Sequence, residues 1–150
     1  LRELVHDWKF GGHPSLRRPL AAGLARRCEG ARDWACDAVV PLPPGRRSWR
    51  ERGYDTAGAL AAGLAKAWRL ELWPVLTWAR ERKRQSELDR AGRLANAAGA
   101  LRSRPVSGRR LLVVDDLISS GATAHDAARA LKEAGAVFVG VLALAHRESE

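Results

Sequence analysis

The chain has 150 residues, 46% of them hydrophobic, which is enough for one domain with a real core and ordinary for a globular protein. No apolar run approaches the roughly 20 residues that span a bilayer, and the charged amphipathic start, LRELVHDWKF, reads against a secretory signal. A net charge of +9, mostly arginine, leaves two readings open: attraction to polyanions, or the solvated surface of an arginine-rich protein.

Leu1, Leu4, Val5 and Trp8 share one helical face and predict a short opening helix that ends at Lys9-Phe10-Gly11-Gly12. Residues 14–29 read as a second helix, with Pro14 near its start and Leu16, Leu20, Leu24 and Cys28 on its apolar face. The run DAVVPL (37–42) reads as a strand, and Pro43, Pro44 and Gly45 force an irregular loop after it. Asp55 is placed to cap a helix whose apolar face is Leu60, Ala61, Leu64, Ala65 and Trp68. LELWPVLTWA (70–79) is extended, with a break or an edge at Pro74. Residues 79–100 are polar, basic and weakly periodic. A strand at 111–115, a helix at 122–134 and a strand at 136–145 close the chain, with Gly135 as the helix stop. This alternation predicts an α/β fold with a parallel sheet and right-handed crossovers.

Positive charge concentrates at RRSWRER (46–52) and ARERKR (79–84), both in predicted loops, which favours local anion handling over one charged helix face. A solvated face remains an equal reading for 80–84. Trp8 and Trp68 sit at core spacing, whereas Trp49 lies between charges and reads as exposed. Cys28 and Cys36 are not spaced as a zinc pair and read as free thiols of a reducing cytoplasm. His13, His125 and His146 have no visible partner and read as structural or exposed, with His125 in the first turn of the 122–134 helix. The chain contains no Met, so Leu1 reads as other than a native start.

The segment LLVVDDLISSGAT (111–123) carries the chemistry. Four apolar residues suit a strand buried on both faces of a parallel sheet. Asp115 and Asp116 sit at the expected end of that strand, where open α/β sheets bind ligands. Ser119, Ser120, Gly121, Ala122 and Thr123 open the next helix, whose N–H groups and dipole hold a phosphate. A Walker loop needs Gly-Lys-Ser/Thr, which this segment lacks. A receiver domain needs more strands than the chain has left after 123. Simple helix capping by Asp116 and Ser119–Ser120 does not call for two carboxylates in this order.

The segment resembles the phosphoribosyl pyrophosphate (PRPP) motif of type I phosphoribosyltransferases. The rest of the chain narrows the resemblance to the ComF family of competence-associated proteins, through Lys9-Phe10-x-Gly12, RERGY (50–54), the strand, loop and helix of 37–65, and Gln85, Arg93 and Asn96. The resemblance implies a Rossmann-like, mostly parallel sheet with helices on both faces and a flexible hood over residues 79–96. It implies that Asp115 and Asp116 hold the ribose hydroxyls and Mg²⁺, and that Ser119–Thr123 hold the 5′-phosphate. Leu42, Pro43, Pro44, Gly45 and Arg46 match the pyrophosphate loop. Arg80, Arg82 and Lys83 would meet the leaving group from the hood. Two prolines donate no N–H, which makes 42–46 a poorer anion cradle than a glycine-rich loop. ComF-type proteins commonly carry an N-terminal four-cysteine zinc module, and these 150 residues contain none.

The expected activity is transfer of the phosphoribosyl group with release of pyrophosphate, linked to DNA uptake. Two other functions stay open: a non-catalytic PRPP- or nucleotide-binding accessory of competence, and single-stranded DNA binding through the arginine loops with Trp49 as a stacking platform. The sequence does not disclose the oligomeric state, and the superfamily often dimerises, which leaves a homodimer open.

Overall fold

The computed structural model describes residues 14–45, 54–79 and 99–146. The opening helix, Lys9-Phe10-x-Gly12, His13, Trp49, Gln85, Arg93 and Asn96 lie outside the described residues, as do Arg46, Arg80, Arg82 and Lys83. A 3₁₀ turn at Pro14–Leu16 leads into helix α1 (Arg17–Arg27). A second 3₁₀ stretch, Glu29–Trp34, connects it to strand β1 (Ala38–Pro41). Helix α2 (Thr56–Trp68) follows, then β2 (Glu71–Leu72), β3 (Leu76–Trp78), β4 (Leu101–Ser103), β5 (Arg110–Ile118), helix α3 (Ala122–Glu133) and β6 (Phe138–His146).

Four strands form one parallel sheet in the order β2-β1-β5-β6. The pleat sends alternate residues to opposite faces. Val39, Leu112, Val114 and Leu142 face α1 and α2, whose buried stripe is Leu20, Leu24, Leu60, Ala61, Leu64, Ala65 and Trp68. Ala38, Val40, Leu111 and Val113 face α3 through Ala127, Ala130 and Leu131. Helices therefore cover both faces, and Leu111, Leu112, Val113 and Val114 are fully buried. α1 and α2 approach closely because the contact is small: a Cβ on Gly63 would lie 2.4 Å from that of Ala21.

The extended run at 70–79 resolves into two strands with different partners. β2 joins the parallel sheet, and the chain breaks at Pro74 so that β3 pairs with β4 in a separate antiparallel ribbon. A proline cannot sustain the ladder, so the switch falls there. The sequence reading did not anticipate β4. It also ended the following strand too early, at 115, whereas β5 runs to Ile118. Carboxylates are poor strand formers, but β6 offers a continuous parallel partner, pairing Leu117 with Ala145 and Ile118 with His146. The last helix stops one residue sooner than expected, at Glu133, and Gly135 takes φ +101° just beyond it.

The ribbon is bolted to α3. Asp126, 2% exposed, accepts backbone N–H bonds from Gly99 (2.7 Å) and Leu101 (2.8 Å). Arg129 donates to Asp126 through Nε (2.8 Å) and to the Leu101 carbonyl through Nη2 (3.0 Å). Burial pushes the Asp126 carboxyl upward, but the Arg129 and backbone hydrogen bonds outweigh that effect and hold it below the usual carboxylate range. The unfolded chain therefore takes up this proton first. The resulting stabilisation is complete above the unfolded value of about 3.9 and is lost as pH falls through the folded value. Asp126→Asn is expected to lower stability by about 2–4 kcal/mol at pH 7. In urea denaturation the gap to the parent should narrow as the pH falls below about 4.

Candidate functional site

The site begins with where two neighbouring strands part. β1 ends at Pro41, paired with Val114, and the Leu42 N–H makes one more bond to the Val114 carbonyl (3.0 Å). Beyond that point β5 continues with β6 alone, pairing Asp115 with Ala143. The chain after β1 returns to the sheet as β2 on one side, and the chain after β5 returns as β6 on the other. Such a divergence opens a crevice at the carboxyl ends of the strands. Asp115 and Asp116 thus lie inside β5, not at its end, at the level where β1 stops.

A cavity of about 230 Å³ occupies this crevice. Leu42, Pro43, Pro44 and Gly45 line one side, and Ser119, Ser120, Gly121, Ala122 and Thr123 line the other. Asp115 and Asp116 lie between them, with Tyr54, Thr56 and Trp78 also on the wall. All the expected site residues that the structure describes border this one space.

The two carboxylates are not equivalent. Strand alternation puts Asp116 on the side of α2 and Asp115 on the side of α3. Asp116, 7% exposed, accepts a hydrogen bond at Oδ2 from the Thr56 hydroxyl at the start of α2. Asp115 Oδ1 accepts from the Asp116 backbone N–H (2.7 Å). Asp55, just before Thr56, caps α2 by accepting from the Gly58 N–H (2.8 Å). The cap thereby fixes the first turn that presents Thr56 to the cavity.

Gly121 sits at the N-cap of α3 in the left-handed region, φ +74°, with no side-chain cap, and the first helical bond runs from His125 N–H to its carbonyl (2.8 Å). Glycine adopts this turn at little cost. Ser120 Oγ lies 3.4 Å from the Ala122 N, so side-chain capping contributes little here. The helix opens onto the cavity with its dipole end and first-turn donors, the arrangement that holds anions.

The Pro43–Pro44 side is organised by its carbonyls. Trp78 Nε1 donates to the Pro43 oxygen (3.0 Å) and the Pro44 oxygen (3.2 Å). The indole at the end of β3 thus fixes a loop that has no N–H of its own at these two positions. The sequence reading missed Thr56 and Trp78. A hydroxyl directly after a helix-capping aspartate was a visible local signal for Thr56, and Tyr54 lay within the noted RERGY run. Nothing local marked Trp78, which reaches residues 34 and 35 positions away.

Among the described residues no three His, Cys, Asp or Glu side chains gather as a metal cage. His125 and His146 are exposed. Cys28 and Cys36 are free thiols, and burial pushes the Cys36 thiol above its ordinary value, partly offset by Arg110.

No family model matches the chain. Its curated relatives include DNA utilization protein YhgH of Escherichia coli K12, 31% identical over 154 residues that cover 96% of this chain and 66% of the relative. YhgH of Salmonella typhimurium is 32% identical over 151 residues, and competence protein ComFC of Streptococcus pneumoniae is 27% identical over 145. The chain spans just under two thirds of these proteins, 65% and 62% for the last two. Among solved structures, an allosteric regulatory enzyme of purine biosynthesis superposes with TM-score 0.60 at 28% identity, over 87% of this chain and 25% of that one. A purine phosphoribosyltransferase from Pyrococcus horikoshii superposes with TM-score 0.53 at 16% identity, over 85% of this chain and 70% of that one. The fold is thus that of the type I phosphoribosyltransferases.

Removing the hydroxyl at 56 takes a hydrogen bond from a buried carboxylate. Thr56→Val should cost about 1–3 kcal/mol in chemical denaturation, and Thr56→Ser should recover most of it. Loss in Thr56→Ser with none in Thr56→Val would mean that the methyl group, not the hydroxyl, matters.

Proposed function

The chain belongs to the ComF-like family of competence and DNA-utilization proteins, and on that premise we propose that it binds PRPP with Mg²⁺ and transfers the phosphoribosyl group with release of pyrophosphate. The observation that carries this reading is the convergence of Asp115, Asp116, the 119–123 turn and the 42–45 loop on one cavity at the divergence of β1 and β5.

In this reading Ser119–Thr123 bind the 5′-phosphate at the α3 terminus, and Asp115 and Asp116 accept the ribose hydroxyls. The anomeric carbon would then face Pro43, Pro44 and Gly45, which line the other side of the cavity. There the bond from that carbon to pyrophosphate breaks and a bond to the acceptor forms. Negative charge grows on the departing pyrophosphate, so cations and N–H donors facing it lower the barrier. Arg46, Arg80, Arg82 and Lys83 are assigned that role. Asp115 and Asp116 are too few for an all-protein metal cage, but the donor set fits Mg²⁺, which usually keeps waters and substrate oxygens as its other ligands. When bound, the ion supplies charge neutralisation at the pyrophosphate.

A second reading, a PRPP- or nucleotide-binding accessory without turnover, draws on one observation. Pro43 and Pro44 offer no N–H, and their carbonyls face an indole donor, which leaves the leaving-group side short of backbone donors. The single-stranded DNA reading rests on Trp49 and the arginine loops, which apart from Ala79 lie outside the described residues. Work in DNA uptake or utilisation, in a reducing cytoplasm, fits the family and the free cysteines. Among the described residues no helix is long and apolar enough to cross a membrane.

Calorimetric titration with PRPP and Mg²⁺ is expected to show saturable binding. Asp115→Asn with Asp116→Asn should abolish it or weaken it by about 10²-fold or more. Absence of binding at millimolar PRPP overturns the proposal. Pyrophosphate release against a panel of bases and amines then separates transferase from accessory, since binding without release on any acceptor favours the second reading.

A further inference from the structure

We propose that Asp126 and Arg129 are positioning residues that set the spacing between the two sides of the cavity, the 119–123 turn and the Pro43–Pro44 loop. Neither residue lines the cavity. The turn is the start of α3, and Asp126 lies on that helix about one turn further on. Asp126 holds the Leu101 N–H and Arg129 holds the Leu101 carbonyl. Leu101 is paired directly with Trp78 across the ribbon. Trp78 in turn holds the carbonyls of Pro43 and Pro44. The Leu101 N–H and carbonyl both face α3, so the step across the ribbon is made beside that pair, where the Ala79 N–H donates to the Ala100 carbonyl (2.8 Å). Hydrogen bonds and the short backbone segments between them therefore connect the helix behind the phosphate turn, through the ribbon, to the loop on the opposite wall.

Each link restrains direction as well as distance. Leu101 is held at both its backbone groups, so β4 cannot slide or rotate against α3 without breaking a bond to a buried carboxylate. Leu101 is itself fully buried. A ligand with a phosphate at one end and a pyrophosphate at the other must touch both walls at once. It gains from their being held at the right separation, because the second contact is then made at a high effective concentration. A ligand that touches one wall gains nothing from it. The identity of that two-ended ligand rests on the phosphoribosyl reading, whereas the mechanical link between Asp126 and Trp78 does not.

The test has one arm without ligand and one with it. In the ligand-free full chain, Asp126→Asn should speed hydrogen exchange of the Trp78 indole N–H by about tenfold. Unchanged exchange overturns the link, whatever the chain binds. In the second arm, PRPP, ribose 5-phosphate and pyrophosphate are each titrated with Mg²⁺ into the parent and the variant. PRPP affinity should fall about tenfold, while each half-ligand should change by less than about twofold. Equal losses for PRPP and ribose 5-phosphate would reduce Asp126 to local support of the turn and overturn the spacing role, as would an unchanged PRPP affinity. Trp78→Phe keeps a ring but removes the donor, and adding it to Asp126→Asn should cause little further loss of PRPP affinity. Additive losses overturn the shared link. If Asp126→Asn does not fold, Arg129→Gln, which keeps both backbone bonds to Asp126, carries the same measurements. A parent chain that binds none of the three ligands sinks the phosphoribosyl reading, and the indole exchange still decides the link.

Discussion

Everything at the site depends on one topological constraint: β1 and β5 are parallel neighbours whose chains leave the sheet in opposite directions. Parallel strands need a crossover to return to the sheet. When adjacent crossovers diverge, neither covers the gap between the strand ends. The ladder between β1 and β5 closes at Pro41 and Val114, and the next residues of each chain become opposite walls of a cavity. The site is built from backbone geometry first, and the side chains are added to it.

That geometry gives two adjacent aspartates different surroundings. Within β5 the pleat turns Asp116 toward α2, where Thr56 meets it, and Asp115 toward α3. A pair of carboxylates on one helix face would repel each other across a short gap. On a strand they turn to opposite faces, Asp116 taking a hydrogen bond from Thr56 of α2 and Asp115 one from the β5 backbone.

The two walls of the cavity differ in kind. The α3 side is a helix terminus behind a left-handed glycine and is complete in its own backbone. The Pro43–Pro44 side relies on the distant Trp78 for its conformation. The chain is similar to proteins named for competence and DNA utilization, and the structural neighbours place the fold among phosphoribosyltransferases. The asymmetry between the walls is where binding and turnover would come apart. In the proposed function, the helix-terminus side would suffice to hold the ligand, whereas transfer would also demand stabilisation of the departing pyrophosphate.

The sequence by itself determined the local elements and the ligand-bearing segment. Periods of 3.6 and 2 are set by backbone geometry, so the apolar stripe of α2 and the buried run of β5 could be read directly. The order DD followed by SSGAT announced a carboxylate pair beside a phosphate turn. Strand ends were less legible, because β5 extends only where β6 lends it a partner. The tertiary structure alone decided which distant groups complete the site. Thr56 and Asp116 are 60 residues apart, Trp78 and Pro43 are 35 apart, and Asp126 and Leu101 are 25 apart. No local period encodes such pairs. They follow from the strand order β2-β1-β5-β6 and from the break at Pro74 that sends β3 to a second sheet, and only the folded chain brings those residues within hydrogen-bonding reach.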